Sequence, residues 1–341
     1  MNPTETLIDG PYFEDLHHGL RFEDVPALTL TEGLAAAHQA IVGGRLPLVV
    51  DHTLAGRVVG EGAVLAAPNL VWDVAIGQST IVTHAVKANL FYRGVVFRRA
   101  PLIGDTLRTV TEVVGLRQNS RRPGRPATGL AALRIGTRDQ HDRPVLDFWR
   151  CAMIPLRDQE AETGHADDLS AVGTAPTTAE LSQVAAGWDL GAYRARVRGR
   201  RLGDLAPGQV FRVAGGDVVS SAPELARLTL NSARVHHDAS AGAAGRLVYG
   251  GHTVGIALHQ AVRALPETVT VAGWHGCDHL GPVAEGDTLT SVIEVERTER
   301  LADGGLVHLR SRVHAHRPGL PPVDVLDWRF VAVFAGGGAT G

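Results

Sequence analysis

Along Val307, Leu309, Ser311, Val313 and Ala315 the small and apolar residues alternate with His308, Arg310, Arg312, His314 and His316. A period of two with one charged face predicts a half-buried strand. Patterns of this kind fill the second part of each half of the chain, and helical patterns come earlier. Ser221-Ala222-Pro223-Glu224 reads as a helix start, with a serine cap, a proline in the first turn and an acid three residues on. It opens a helix carrying Leu225 and Leu228. A second helix, over about Gly251–Leu265, has Val254, Ile256, Leu258, Ala261, Val262 and Leu265 nearly all round it, which predicts burial. Asn69–Ile76 is its weaker counterpart in the first half. The order of elements predicts an α+β architecture in which one helix is wrapped by a curved antiparallel sheet, built twice.

The duplication is legible in the residues. Pro101-Leu102-Ile103-Gly104-Asp105-Thr106-Leu107 recurs about 180 residues later as Pro282-Val283-Ala284-Glu285-Gly286-Asp287-Thr288-Leu289. Val145-Leu146-Asp147-Phe148-Trp149 recurs as Val325-Leu326-Asp327-Trp328-Arg329, and Phe13-Glu14-Asp15-Leu16 corresponds to Leu202-Gly203-Asp204-Leu205. A period this long means duplicated domains, since solenoid units run to about 20–50 residues. The boundaries expected are 1–158 for the first domain, 159–185 for a linker and 186–335 for the second. The linker is acidic, then rich in small residues, as an exposed connection would be. Gly336–Gly341 is expected to be a frayed tail.

Composition narrows the class. A 341-residue chain that is 44% hydrophobic and 20% charged has room for two ordinary cores. Its formal net charge of -3 predicts no nucleic-acid partner. Lys87 is the only lysine, so the basic charge is arginine, which suits phosphate recognition. Two cysteines, Cys151 and Cys277, do not make a disulfide framework. No apolar run approaches the roughly 20 residues of a membrane span, and Met1–Thr6 lacks the features of a leader. A cytoplasmic protein without a membrane partner is expected.

The chemically informative stretch runs Thr229-Leu230-Asn231-Ser232-Ala233-Arg234-Val235-His236-His237-Asp238, followed by Leu247-Val248-Tyr249-Gly250-Gly251-His252. Here the chain resembles the MaoC-like family of double hot-dog acyl-thioester hydratases and dehydratases, and within it the mesaconyl-CoA hydratase branch. The resemblance covers essentially the whole chain. It also includes Tyr12-Phe13-Glu14-Asp15, Leu116-Arg117-Gln118-Asn119-Ser120 and both Gly-Asp-Thr-Leu turns, in the same order.

What the resemblance implies is a hydro-lyase that adds water reversibly to an enoyl thioester, of the mesaconyl-CoA type or a related branched dicarboxylyl. It needs no cofactor beyond the CoA or carrier-protein arm of its substrate, and a homodimer is compatible with it. The family's active pair is an acid and a histidine five positions later; here these positions hold Asn231 and His236. A histidine suits proton transfer near neutral pH. An amide can orient water but cannot take its proton, so His236 is left to move the proton. The backbone at Gly250 and Gly251 is implied to hold the developing charge on the thioester oxygen. Tyr249 and His252, in the same motif, are assigned to substrate binding.

Aligned to the first half, His236 falls on Val49 or Pro47 and Asn231 on Gly44 or Val42. That half has lost the reactive pair and is expected to shape the acyl and CoA cleft. His38, Asp51 and His52 lie off the pattern. Arg121 and Arg122, with Arg125, sit in an expected hairpin loop and are candidates for the CoA phosphates. Arg234 could face a substrate carboxylate or pair with Asp238. His237 and Asp238 adjoin His236, but adjacent residues rarely converge on one ion, so no metal is expected. His275, Cys277 and His279 alternate and would share one strand face, as core or cleft lining. Two alternatives remain: thioester hydrolysis, with Asp238 as the nearby carboxylate, and a non-catalytic acyl-thioester binding protein.

Overall fold

The computed structural model describes residues 9–240 and 245–336. Met1–Thr6 and the expected frayed tail beyond Gly336 lie outside these residues.

In the first half, short strands β1 (Arg21–Phe22) and β2 (Leu28–Thr29) precede helices α1 (Glu32–Val42), α2 (Pro47–Val50), α3 (His52–Val58) and α4 (Pro68–Ser79). Four long strands follow: β3 (Ala88–Phe97), β4 (Thr106–Gln118), β5 (Thr128–Arg138) and β6 (Pro144–Pro155). Helices α5 (Thr178–Ser182) and α6 (Leu190–Arg196) lie between the halves. The second half repeats the plan with β7 (Val210–Arg212), β8 (Asp217–Val218), α7 (Ala222–Leu228), α8 (Gly250–Ala264), β9 (Thr270–His279), β10 (Thr288–Arg300), β11 (Gly304–His316) and β12 (Val323–Ala335).

The expected doubling is present, down to individual hydrogen bonds. In the Gly-Asp-Thr-Leu turns, Asp105 accepts from the Leu102 amide and Asp287 from the Ala284 amide, both at 2.9 Å. Gln78 of α4 donates to the Leu107 carbonyl at 3.0 Å, and Gln260 of α8 donates to Leu289 at 2.8 Å. Each buried helix is thereby tied to the same point of its own sheet.

The two sheets are one. The strand order is β1-β4-β5-β6-β3-β9-β12-β11-β10-β7, with β2 added beside β4 and β8 beside β10. The halves join where β3 pairs antiparallel with β9, setting Tyr92 opposite Cys277 and Val95 opposite Trp274. Both inner helices pack against this sheet and against each other. The seam between them is aromatic: Trp72 on α4 packs 4.6 Å from Trp274 and 5.1 Å from Tyr92. Burying large rings from both halves in one core makes the pair a single packed unit.

Three expectations need correction. Ser221 does not cap α7 with its side chain; its backbone is left-handed at φ 59°, and the Ala222 amide instead donates to Glu285 at 2.9 Å. The linker is not simply exposed. Leu169, Leu181 and Val184 are buried, and Arg93 donates to the carbonyls of Ser170 and Val172. Apolar residues at sparse spacing pin it to the sheet, a pattern that no helical or strand period reveals. Nor do His275, Cys277 and His279 share a face. Gly276 pairs with Arg329 and Trp274 with Phe330, so His275 is an extra residue. That bulge turns His275 outward to stack on His308, while Cys277 is buried in the core.

Candidate active site

At the N-terminus of α8 lies a cavity of about 220 Å³, built by both halves. The second half contributes Val235, His236, Tyr249, Gly250, Thr253 and His279, and the first half contributes Lys87, Asn89 and Tyr92.

The segment carrying His236 is shaped locally and then held by the first half. Two residues past the end of α7, Leu230 is a non-glycine residue in the left-handed region at φ 61°. Such a backbone costs on the order of 1–3 kcal/mol and persists where surrounding structure imposes it. Here the Ser232 amide donates to Thr80 Oγ1 at 2.9 Å and the Arg234 amide to the His84 carbonyl at 3.0 Å. Gly77 of α4 lets the segment come this close: a Cβ there would overlap the Thr229 carbonyl oxygen and sit 3.0 Å from the Asn231 nitrogen.

His236 Nδ1 lies 2.9 Å from the Leu247 carbonyl. A carbonyl can only accept, so Nδ1 carries the ring hydrogen and Nε2 keeps its lone pair. Burial lowers the His236 pKa to about 4, opposed by the Leu247 hydrogen bond. The ring is therefore neutral near neutral pH, with the Nε2 lone pair free to accept a proton. Tyr249 packs edge-on at 5.5 Å, and burial raises its hydroxyl well above the usual value, with the Asp73 carboxylate adding to the effect.

Helix α8 supplies the electrostatic element. Its first backbone amides, at Gly250 and Gly251, have no acceptor among the described residues, and helix N-termini carry partial positive charge. The glycines are needed for close approach. A Cβ on Gly250 would lie 2.6 Å from His279 Nε2, and one on Gly251 would run into Asp73 and the Tyr249 ring.

Of the residues singled out from sequence, His236, Tyr249 and Gly250 therefore meet at one cavity, with Gly251 one step along the helix. Asn231 is buried just behind, and its Oδ1 accepts from the Ala233 amide at 3.1 Å, so it does not line the cavity. His252 is fully buried on α8, with neither ring nitrogen hydrogen-bonded among the described residues. It too is away from the lining. Arg234 is half-exposed and pairs with neither a cavity nor Asp238; its nearest carboxylate is Asp9, at 3.8 Å. Asp238 accepts from the amide and hydroxyl of Ser240 and lies outside the cavity. His38 bonds the buried Asp73 at 2.8 Å, and Asp51 caps α3. Among the described residues no group of three His, Cys, Asp or Glu side chains is placed to hold a metal ion.

Arg121 and Arg122 line a second groove of about 520 Å³, together with Arg117, Arg125 and Lys87. Lys87 borders both spaces, so the groove adjoins the His236 cavity. Arg121 is paired with Glu160 at 2.7 Å, whereas Arg117, Arg122, Arg125 and Lys87 have no carboxylate within 4.0 Å among the described residues. A larger groove on the first-half sheet holds six arginines, but each faces a carboxylate, as Arg98 faces Glu180 and Arg143 faces Asp139. Of these two grooves, the one beside Lys87 is where basic charge is left without a carboxylate partner among the described residues.

Sequence reasoning missed Tyr92, Asn89 and Lys87, which reach the site through β3–β9 pairing, and gave His279 no specific role. The alternation around His279 was visible, but the bulge that separates it from His275 was not.

No family model matches the chain. A mesaconyl-CoA hydratase from Cereibacter sphaeroides is 30% identical over 328 residues, covering 92% of this chain and 91% of the relative. A β-methylmalyl-CoA dehydratase from Chloroflexus aurantiacus is 30% identical over 298 residues, or 84% of this chain and 82% of the relative. The chain belongs to the mesaconyl-CoA hydratase family. A conserved hypothetical protein from Mycobacterium tuberculosis with a double hotdog fold superposes with a TM-score of 0.89 at 52% identity, covering 95% of this chain and 98% of that one. A MaoC-domain protein from Chloroflexus aurantiacus superposes at 0.85 over 98% of this chain and 100% of its own, with 24% identity. The double hot-dog fold and the family inferred from the motifs are both met.

Proposed function

We propose that this chain is a hydro-lyase that reversibly adds water across the α,β double bond of an enoyl-CoA, with an acyl group of the branched dicarboxylyl, mesaconyl type. The observation that carries this reading is the free Nε2 of His236, fixed by the bond from Nδ1 to Leu247, at a cavity that abuts the open N-terminus of α8. Water oxygen adds to the β-carbon while His236 Nε2 takes one of its protons. Electrons move onto the thioester oxygen, where the amides of Gly250 and Gly251 hold the charge. His236 then returns the proton to the α-carbon. No atom is left over, and no redox partner or metal enters the balance.

Support for a CoA rather than a smaller thioester comes from the adjoining groove, where Lys87, Arg122 and Arg125 match a nucleotide diphosphate in charge. Asn231 is assigned a positioning role: its carbonyl oxygen accepts from His237 Nε2 at 2.6 Å, and its side chain holds the turn that presents His236. The reading is checked by following the loss of conjugated-thioester absorbance with mesaconyl-CoA and crotonyl-CoA. His236→Ala is expected to reduce turnover by about 10²–10⁴-fold. Hydration at the wild-type rate by that variant would exclude the mechanism.

A further inference from the structure

We propose that His279 is a second catalytic histidine, which accepts through Nε2 the other hydrogen of the water that His236 activates. The inference rests on the hydratase reading and deepens it.

Holding a water for addition takes two acceptors, one to remove a proton and one to aim the oxygen. His236 supplies the first. Asn231 does not supply the second, since its Oδ1 is engaged by the Ala233 amide and its side chain is off the cavity. His279, at the end of β9, lines the same cavity as His236. Its Nε2 is buried and has no hydrogen-bond partner among the described residues. A buried, unsatisfied ring nitrogen is costly unless a ligand completes it. The ring is held in place from two sides, by Tyr92 edge-on at 6.0 Å and by Gly250 at the start of α8. That position puts Nε2 against Gly250, whose amide is assigned to the thioester oxygen. Burial, together with the neighbouring His236, lowers the His279 pKa to about 4, which keeps the ring neutral and able to accept.

The step balances as follows. With its hydrogen on Nδ1, His279 accepts one O–H of the water at Nε2, and His236 accepts the other. As the oxygen bonds to the β-carbon, the proton facing His236 transfers to it and passes on to the α-carbon. The hydrogen facing His279 stays on the new hydroxyl. His279 gains and loses no proton over the cycle.

The test compares His279→Gln, whose amide oxygen can still accept from water, with His279→Leu, which has similar bulk and no acceptor. Both are assayed on mesaconyl-CoA and crotonyl-CoA, with thermal melts to establish folding. The Leu variant is expected to lose about 100-fold in kcat with KM changed less than about threefold, and the Gln variant to lose at most about tenfold. Equal turnover by the two variants, or a Leu variant within twofold of wild type, overturns the proposal. Gly250→Ala provides an independent reading, because its Cβ displaces the His279 ring while keeping the amide. It is expected to cut kcat about tenfold in the wild type and less than twofold in the His279→Leu background. Equal losses in both backgrounds would also overturn the proposal. A wild-type protein that hydrates no enoyl-CoA removes the hydratase reading itself, whereas wild-type hydration insensitive to His279 removes only this inference.

Discussion

Gly77 lies in the first half, far along the chain from His236, yet Gly77→Ala is expected to damage turnover more than stability. It sits inside α4 with ordinary helical backbone, so an alanine there gains about 1 kcal/mol of helix propensity. Against that gain, the new Cβ would overlap the Thr229 carbonyl oxygen and approach the Thr229 carbon to 2.7 Å, where ordinary contacts begin near 3.4 Å. The backbone cannot rotate out of the way as a side chain could, so relieving the overlap with the Thr229 oxygen requires the segment leading to Asn231 and His236 to retreat by more than about an ångström. Overpacking of this kind costs about 1–3 kcal/mol, which leaves a net destabilisation of about 0–2 kcal/mol. A displacement of about 1 Å at a reacting group costs on the order of 100-fold in rate, equivalent to about 2.7 kcal/mol of barrier. The assay is hydration of mesaconyl-CoA beside a urea melt. Gly136→Ala serves as the control, because a Cβ there meets nothing within 4 Å. A Gly77→Ala protein with wild-type kcat would refute the claim that turnover depends on how α4 holds the His236 segment.

Thr80→Val probes the same buttress by removing the hydroxyl that receives the Ser232 amide. It should cost about 1–3 kcal/mol in a urea melt and lower kcat with it, and a silent substitution would contradict the geometry. Burial depresses the pKa values of His236, His252 and His279 from 6.5 to about 4, so the unfolded chain binds more protons between those values. Stability is therefore fully present above pH 6.5 and falls as pH drops toward 4, by up to about 1.4 kcal/mol per pH unit for each ring. A urea midpoint that stays level from pH 7.5 to 5 would contradict that burial. Arg122→Ala should raise KM for acyl-CoA by about tenfold, or about 1.4 kcal/mol, with kcat unchanged and the effect weakened by salt. Arg138→Ala, in the groove where the arginines are already paired, should leave KM alone, and equal effects would remove the assignment of the CoA groove.

Much of this was legible in the chain. Duplication showed in the paired Gly-Asp-Thr-Leu turns because each needs the same glycine and the same aspartate side chain to fold. The buried helix α8 showed in its all-round apolar residues. His236 and the Gly250-Gly251 entry to α8 stood out because reactive groups and close backbone approach demand particular residue types at fixed spacing. These are local requirements, and local requirements leave a mark in sequence.

What only the tertiary structure decided is where distant segments meet. Tyr92, Asn89 and Lys87 belong to the site because β3 pairs with β9 across the seam, a register that no local pattern encodes. Asn231 occupies a position a reader would make catalytic, yet its side chain closes a turn on Ala233, an outcome set by the left-handed Leu230 and by the grip of Thr80. One extra residue at His275 separates it from His279, sending the first outward and leaving the second at the cavity. A one-residue change of register reverses the side of every later side chain. Hydrophobic and polar order specified the elements, and the packing of two halves into one sheet specified which of their side chains share a cavity.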